Sequence, residues 1–325
     1  MKRNLLIAVA LVATMMTMAQ NIAVVSPNNV TDIYQTLGDA ITNATSGSTI
    51  YLPGGGLQIS EDIKIDKKLT ILGVSHRGDT DNADGGTIIS GNLFFIDGSS
   101  GSAVMGVYIS GDIYVGTAED AVENFTVKKC NANSIQVGNS ASSGMVVNQC
   151  YLRGNSNFGG CNVKLENNIM CVAWSINVGV INHNVFVANN YFSFINVYNS
   201  SITNNFFVNA FYVKDSSGCY VSHNCIGTAS WDWDENPITL DEGQTWDDVF
   251  GANNNKGVTI ASDYTIKKKS SKFLGTDGTT IGIEGGSTGF DPNALAPIPR
   301  IISKKVDEQS DASGKLTIEV TVKAQ

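Results

Sequence analysis

Apolar and polar positions alternate in short runs through the middle of the chain, and one phrase keeps returning. It is an apolar residue, two residues, then Asn, Cys or Asp, one more residue and another apolar one. It reads Val127-Lys-Lys-Cys130-Asn-Ala, Val147-Asn-Gln-Cys150-Tyr-Leu and Leu165-Glu-Asn-Asn168-Ile-Met. It recurs as Ile181-Asn-His-Asn184-Val-Phe, Ile202-Thr-Asn-Asn205-Phe-Phe and Val221-Ser-His-Asn224-Cys-Ile. Weaker copies begin at Ile109 and Ile89, and Ile71 opens one more. The leading positions 71, 89, 109, 127, 147, 165, 181, 202 and 221 are 16 to 21 residues apart. A regular spacing of this size marks a solenoid. The units lack helical periodicity, and Asn, Gly and Ser separate their apolar runs. The frame of a leucine-rich repeat is absent. Three short strands and three turns per unit predict an all-β parallel β-helix of about nine to eleven coils.

The polar column of this repeat runs Asn92, Asp112, Cys130, Cys150, Asn168, Asn184, Asn205, Asn224. Its expected place is a sharp bend, where Asn tolerates the left-handed conformation. Stacked side chains of this kind bond along the solenoid axis. Cys130 and Cys150 are neighbours in the column, positioned for a disulfide or for two packed thiols.

The chain opens with Lys2-Arg3, an apolar stretch from Leu5 to Met18, and Thr17-Met18-Ala19. That order predicts a signal peptide over 1–19 and export to the periplasm, cell surface or medium. The solenoid is expected over 20–289, with an insertion at 228–255. Thr31 to Ala44 reads as a capping helix: Ile33, Leu37, Ala40 and Ile41 share a face, and Thr31 is its N-cap. Pro292, Pro297 and Pro299 mark a linker within 290–325. After it, Arg300 to Val306 and Leu316 to Val322 alternate as a hairpin that docks on the solenoid over an open edge, or that adds a strand to a partner.

Gly47-Ser-Thr-Ile50-Tyr51-Leu52-Pro53-Gly54, then Ile63 to Lys68 and Leu69-Thr-Ile71-Leu72-Gly73, resemble the opening coil of the right-handed parallel β-helix superfamily that includes pectin and pectate lyases. Tyr264-Thr-Ile-Lys and Gly275-Thr-Asp277-Gly278-Thr-Thr-Ile281-Gly282 look like its closing coil. The resemblance covers roughly residues 30 to 285. The frame is also similar to secreted β-helix repeat surface proteins of Bacteroidetes. It implies a right-handed β-helix. It leaves function open, because the superfamily hosts lyases, hydrolases, esterases and adhesins.

Composition narrows the partners. The formal net charge is −9, and charged residues are 16% against 42% hydrophobic. Enough apolar matter is present for a core, which excludes a disordered chain. An acidic chain gives nucleic acid no cationic surface, and the absence of an apolar run of 18 residues excludes a membrane-spanning chain. The six Cys form no Cys-x-x-Cys and no zinc spacing, so buried thiols are expected. Oligomeric state leaves no mark in the sequence.

Candidate chemistry concentrates in 228–255. Trp231, Trp233 and Trp246 stand there with Asp232, Asp234, Glu235, Asp241, Glu242, Asp247 and Asp248, and no Lys or Arg. Flat rings stack on sugar faces and carboxylates accept from sugar hydroxyls. Trp231, Asp232, Trp233, Asp234, Glu235 and Trp246 are therefore the candidate ligand contacts. The bland alternative packs the rings on the coil and leaves the acids as a solvated rim. The same acids suit Ca²⁺, but without the spacing of a calcium loop; no other cofactor is indicated. A second aromatic group, Tyr191, Phe192, Phe194, Tyr198, Phe206, Phe207, Phe211 and Tyr212, reads as core stacking. His183 and His223 read as surface residues or turn donors, about 10 Å apart. Acids and cations are sparse in the central coils, and lyase or hydrolase signatures are missing. The expected function is non-catalytic, adhesin-like recognition of an extracellular polysaccharide or host glycan. The alternatives are a polysaccharide lyase or glycoside hydrolase, with Asp247 and Asp248 as its carboxylate pair, and a purely structural surface protein.

Overall fold

The computed structural model describes residues 21–291, except 59–61, 78–84, 188–192, 209–210, 216, 229, 253–257 and 259–262, together with 300–306, 315 and 318–323. The expected signal peptide and the proline linker lie outside the described residues. What is described is nearly all β, a parallel β-solenoid of about seven turns with few helices and a small antiparallel hairpin sheet near the C-terminus. That is fewer turns than the nine to eleven expected.

One face stacks parallel strands from Ser48–Tyr51 through Leu69–Leu72, Ala103–Met105, Thr126–Lys128, Met145–Asn148, Val163–Glu166, Val180–Asn182 and Ser201–Thr203 to Tyr220–Ser222. Strict alternation sends Ile50, Ile71, Val104, Val127, Val147, Leu165, Ile181, Ile202 and Val221 inward, none more than 2% exposed. Two expected leading positions move. Ile89 and Ile109 pair with each other in the second sheet, one strand later in the coil. The long 73–86 connection lengthens that coil and hides its true member, Val104.

The ladder column is corrected with it. Asn92 and Asp112 occupy the next corner, where Asp112 N–H donates to Oδ1 of Asn92 at 2.8 Å and Asn133 Nδ2 donates to Asp112 at 2.8 Å. The first corner holds Cys130, Cys150, Asn168, Asn184, Asn205 and Asn224. Its left-handed residue is not the ladder Asn but the one before it: Lys129, Gln149, Asn167, His183, Asn204 and His223 have φ of 51° to 60°. Gly106, with φ 68°, fills the same place one coil earlier.

The ladder bonds in one direction. Cys150 N–H donates to Oδ1 of Asn168; Asn168 donates N–H and Nδ2 to Oδ1 of Asn184 at 3.0 and 2.9 Å. Asn184 does the same to Asn205, and Asn205 to Asn224. Each Nδ2 also donates down to the preceding coil, to Val147, Leu165, Ile181 and Ile202 carbonyls. The two cysteines copy that second bond, with Cys130 Sγ on Val104 O and Cys150 Sγ on Val127 O, both at 3.5 Å. They are thiols, not a disulfide. Burial pushes Cys130 up to about 12 and Cys150 well above the ordinary thiol range.

The N-terminal end differs from expectation. Thr31–Tyr34 is a strand, antiparallel to Ile22–Val25, which itself pairs antiparallel with Ser48–Tyr51. The helix is only Leu37–Asn43, and Thr36 caps it by accepting from Asp39 N–H at 3.1 Å. Leu37, Ala40 and Ile41 are buried, but Ile33 is 55% exposed. The better cap, Thr36 with Asp39 three residues on, starts the helix later. At the other terminus Arg300–Val306 pairs with Ile318–Lys323 as a separate two-stranded sheet, and neither strand joins a solenoid sheet.

Candidate functional site

Two cores meet at the C-terminal end and decide what each candidate residue can do. The strand pairs Tyr151/Leu152, Ile169/Met170, Val185/Phe186 and Phe206/Phe207 split by alternation. Leu152, Met170, Phe186 and Phe207 fill the solenoid interior. Tyr151, Ile169, Val185 and Phe206 point outward, into a second core closed by Leu240, Phe250, Tyr264, Ile266, Phe273, Ile281 and Ile283. Of the second aromatic group Phe206 and Phe207 are buried packing and Tyr198 is half-buried; Tyr191 and Phe192, and the side chains of Phe194, Phe211 and Tyr212, lie outside what the structure describes.

The segment 228–255 serves both cores. Trp246 opens the short helix Trp246–Val249 and packs edge-on to Phe206 and flat on Phe250, at centroid distances of 6.1 and 5.8 Å. It belongs to the second core. Trp231 and Trp233 stack on each other at 4.6 Å and 12°, and Trp231 meets Phe207 edge-on at 4.7 Å. Phe207 in turn stacks on Phe186 at 4.8 Å. The interior aromatic column thus runs past the last rung and closes the solenoid's open end, with Trp233 outermost.

The acids divide as sharply. Asp234 is 6% exposed and ends the Asn ladder. Its Oδ2 accepts from Asn224 N–H and Nδ2 at 3.1 and 3.0 Å, and its Oδ1 accepts from Asn236 N–H at 3.0 Å. Its oxygens are occupied by the fold. Asp248 accepts from Thr245 N–H and Oγ1, both at 2.8 Å, as a helix capping box. Those bonds hold its carboxyl below the usual range. Asp247 is exposed beside it, and its backbone carbonyl accepts from Lys267 Nζ. Of the six candidate contacts, Asp232 and Glu235 are exposed, and Trp233 is half-buried against the first core. Trp231 packs half-buried on the first core and Trp246 half-buried on the second, and Asp234 is committed to the ladder. No group of three or more His, Cys, Asp or Glu able to hold a metal occurs among the described residues.

His183 is not a surface residue. It is 1% exposed, and its Nε2 lies 3.0 Å from Oδ2 of Asp277. This contact is one of a series. Asn204 bonds Thr276, Asn167 Nδ2 donates to the Ile283 and Gly285 carbonyls, Gln149 Nε2 to those of Thr288 and Gly289, and Lys129 pairs with Asp291. Residues 276–291 form a strap that runs back along the left-handed corner toward the N-terminus. Gly285 is required there: a Cβ would stand 2.4 Å from His183 Nδ1.

One surface escaped sequence reasoning. Phe94 and Tyr114 stack at 4.5 Å and 2° on the outer face, in register with Lys64, Gln136 and Asn157. The middle residue of Leu93-Phe-Phe95, Ile113-Tyr-Val115 and Ile135-Gln-Val137 was the available signal.

Among the described residues no helix is long and apolar enough to cross a membrane. No family model, curated protein or solved structure matches this chain.

Proposed function

We propose that this is an exported, non-catalytic, adhesin-like protein that recognises an extracellular polysaccharide or host glycan at the closed C-terminal end of the solenoid. The observation that carries the reading is Trp233, half-buried and stacked on Trp231 at the end of the aromatic column, with exposed Asp232 and Glu235 close to it in the chain. A ring held rigid on one face by Trp231 offers a sugar a pre-ordered stacking surface, and flanking carboxylates accept from sugar hydroxyls. Export rests on the Lys2-Arg3 and Ala19 signal pattern. Kinship with the right-handed β-helix superfamily of pectin and pectate lyases, and with Bacteroidetes surface proteins, rests on the coil-opening residues Gly47 to Gly54 and Leu69 to Gly73.

The lyase or hydrolase alternative has less support. Asp248 is held in a helix cap with a lowered pKa, which suits neither a proton donor nor a free base at neutral pH. The test is a panel of soluble polysaccharides against the mature protein, with and without Ca²⁺, read for binding and for released fragments. Binding without fragments supports recognition. Fragments, or no binding to any glycan, overturn it.

A further inference from the structure

The N-terminal edge of the eleven-stranded sheet is open. Thr31–Tyr34 is its outermost strand, paired on one side only among the described residues. Ile33 is 55% exposed and Val30, just before the strand, 57%. An exposed edge with apolar side chains is a template for strand addition. At the other end of the chain, Arg300–Val306 and Ile318–Lys323 pair only with each other. A lone two-stranded hairpin is marginal in water and gains stability from a further strand. The charges match. Arg300–Val306 carries Arg300, Lys304 and Lys305 without an acid, whereas residues 20–289 carry 25 Asp and Glu against 14 Lys and Arg. Asp32 lies in the open strand itself and Asp39 at the helix beside it.

The strap decides whose hairpin fills the edge. It leaves the solenoid at Asp291, beside Lys129. From the Thr126–Lys128 rung to Thr31–Tyr34 is five strand positions, a distance of about 24 Å at the usual strand spacing. A strand added beyond that edge lies one spacing further, about 29 Å away, and the nine steps from Asp291 to Arg300 reach about 31 Å only when fully stretched. That leaves almost no slack to swing a hairpin alongside its own edge. We propose that the C-terminal hairpin adds, through its basic strand Arg300–Val306, to the Thr31–Tyr34 edge of a second copy of this chain. The contact joins two different surfaces, so it closes as a reciprocal exchanged pair or continues head to tail. It is independent of the glycan reading.

The test is light scattering of the full mature chain over a wide concentration range, for wild type, Ile33→Lys and Asp32→Lys, with thermal melts of each. The expected result is a mass that rises with concentration in the wild type and falls with added salt, and loss of that rise in both variants at unchanged melting temperature. Either folded variant carries the test if the other fails to fold. A wild type that stays monomeric throughout, or variants that associate like it, would overturn the proposal. Cross-linking separates the two topologies. Copies carrying Ile33→Cys mixed with copies carrying Ser303→Cys give an interchain disulfide if the contact is between copies. If only the double variant cross-links, and only within one chain, the contact is internal and the proposal is wrong.

Discussion

Asn224 donates both its backbone N–H and its Nδ2 to one oxygen of Asp234, at 3.1 and 3.0 Å. A ladder in which every rung points its acceptor at the preceding rung needs, at its last position, a group that only accepts. A carboxylate is that group. Asp234→Ala leaves the backbone N–H of Asn224, a residue 2% exposed, without its acceptor, and leaves Nδ2 only the Ile202 and Ser222 carbonyls. The expected cost is about 2–4 kcal/mol, read as a fall in denaturation midpoint, with Asp234→Asn losing less. A melt within error of wild type for the alanine variant would contradict the ladder's role.

The cysteines of the ladder make a prediction in the opposite direction. Cys150 occupies an asparagine position, and its Sγ keeps the bonds to Val127 O and Asn148 O but offers no amide oxygen to the preceding rung. Cys150→Asn restores an acceptor facing Cys130 and is expected to match wild-type stability or exceed it by about 1 kcal/mol. Cys150→Ala is expected to lose about 1 kcal/mol. The paired melts check it; an asparagine variant less stable than the alanine one contradicts it.

The strap has a pH signature. Burial raises the pKa of Asp277, but bonds from Thr279 N–H and Oγ1 and from His183 outweigh it, and the net value lies below the usual carboxylate range. A group lowered on folding adds stability above its unfolded pKa and loses it as pH falls through the folded value. Asp277→Asn is therefore expected to lower the melting temperature above the usual carboxylate range, with the gap narrowing as pH falls below that range. A gap that widens toward acid would contradict this reading.

Trp246 and Trp233 are expected to behave as different kinds of residue. Trp246→Ala empties part of the second core beside Phe206 and Phe250, at a cost of about 3–5 kcal/mol. Trp233→Ala removes the end of a column and is expected to cost less than half of that. Equal destabilisation in chemical melts would contradict the division between core and platform.

The fold class was legible because its signal repeats: alternation, turn residues and the Asn phrase recur coil after coil. The phase was not legible where a loop intervened. Ile89-Ser-Gly-Asn92 and Ile109-Ser-Gly-Asp112 mimic the phrase one strand late, and only the pairing of Ile71 with Val104 exposes the shift. The helix start failed for a local reason, since Thr36 and Asp39 outcompete Thr31. In the 228–255 segment composition singled out residues whose structural roles it could not tell apart. A Trp reads alike whether it packs on the solenoid core, as Trp231 and Trp233 do, or on the second core, as Trp246 does. Asp234 looked like a ligand acid, and nothing local told that it ends a ladder whose preceding rung is ten residues away.

The most direct measurement is the affinity of the strongest glycan from the polysaccharide panel for wild type, Trp233→Ala and Tyr114→Ala, with melting temperatures taken alongside. The expected result is a loss of at least about tenfold, roughly 1.4 kcal/mol, for Trp233→Ala alone, with its fold intact. Unchanged affinity in a folded Trp233→Ala, or a loss confined to Tyr114→Ala, would contradict recognition at the closed end of the solenoid.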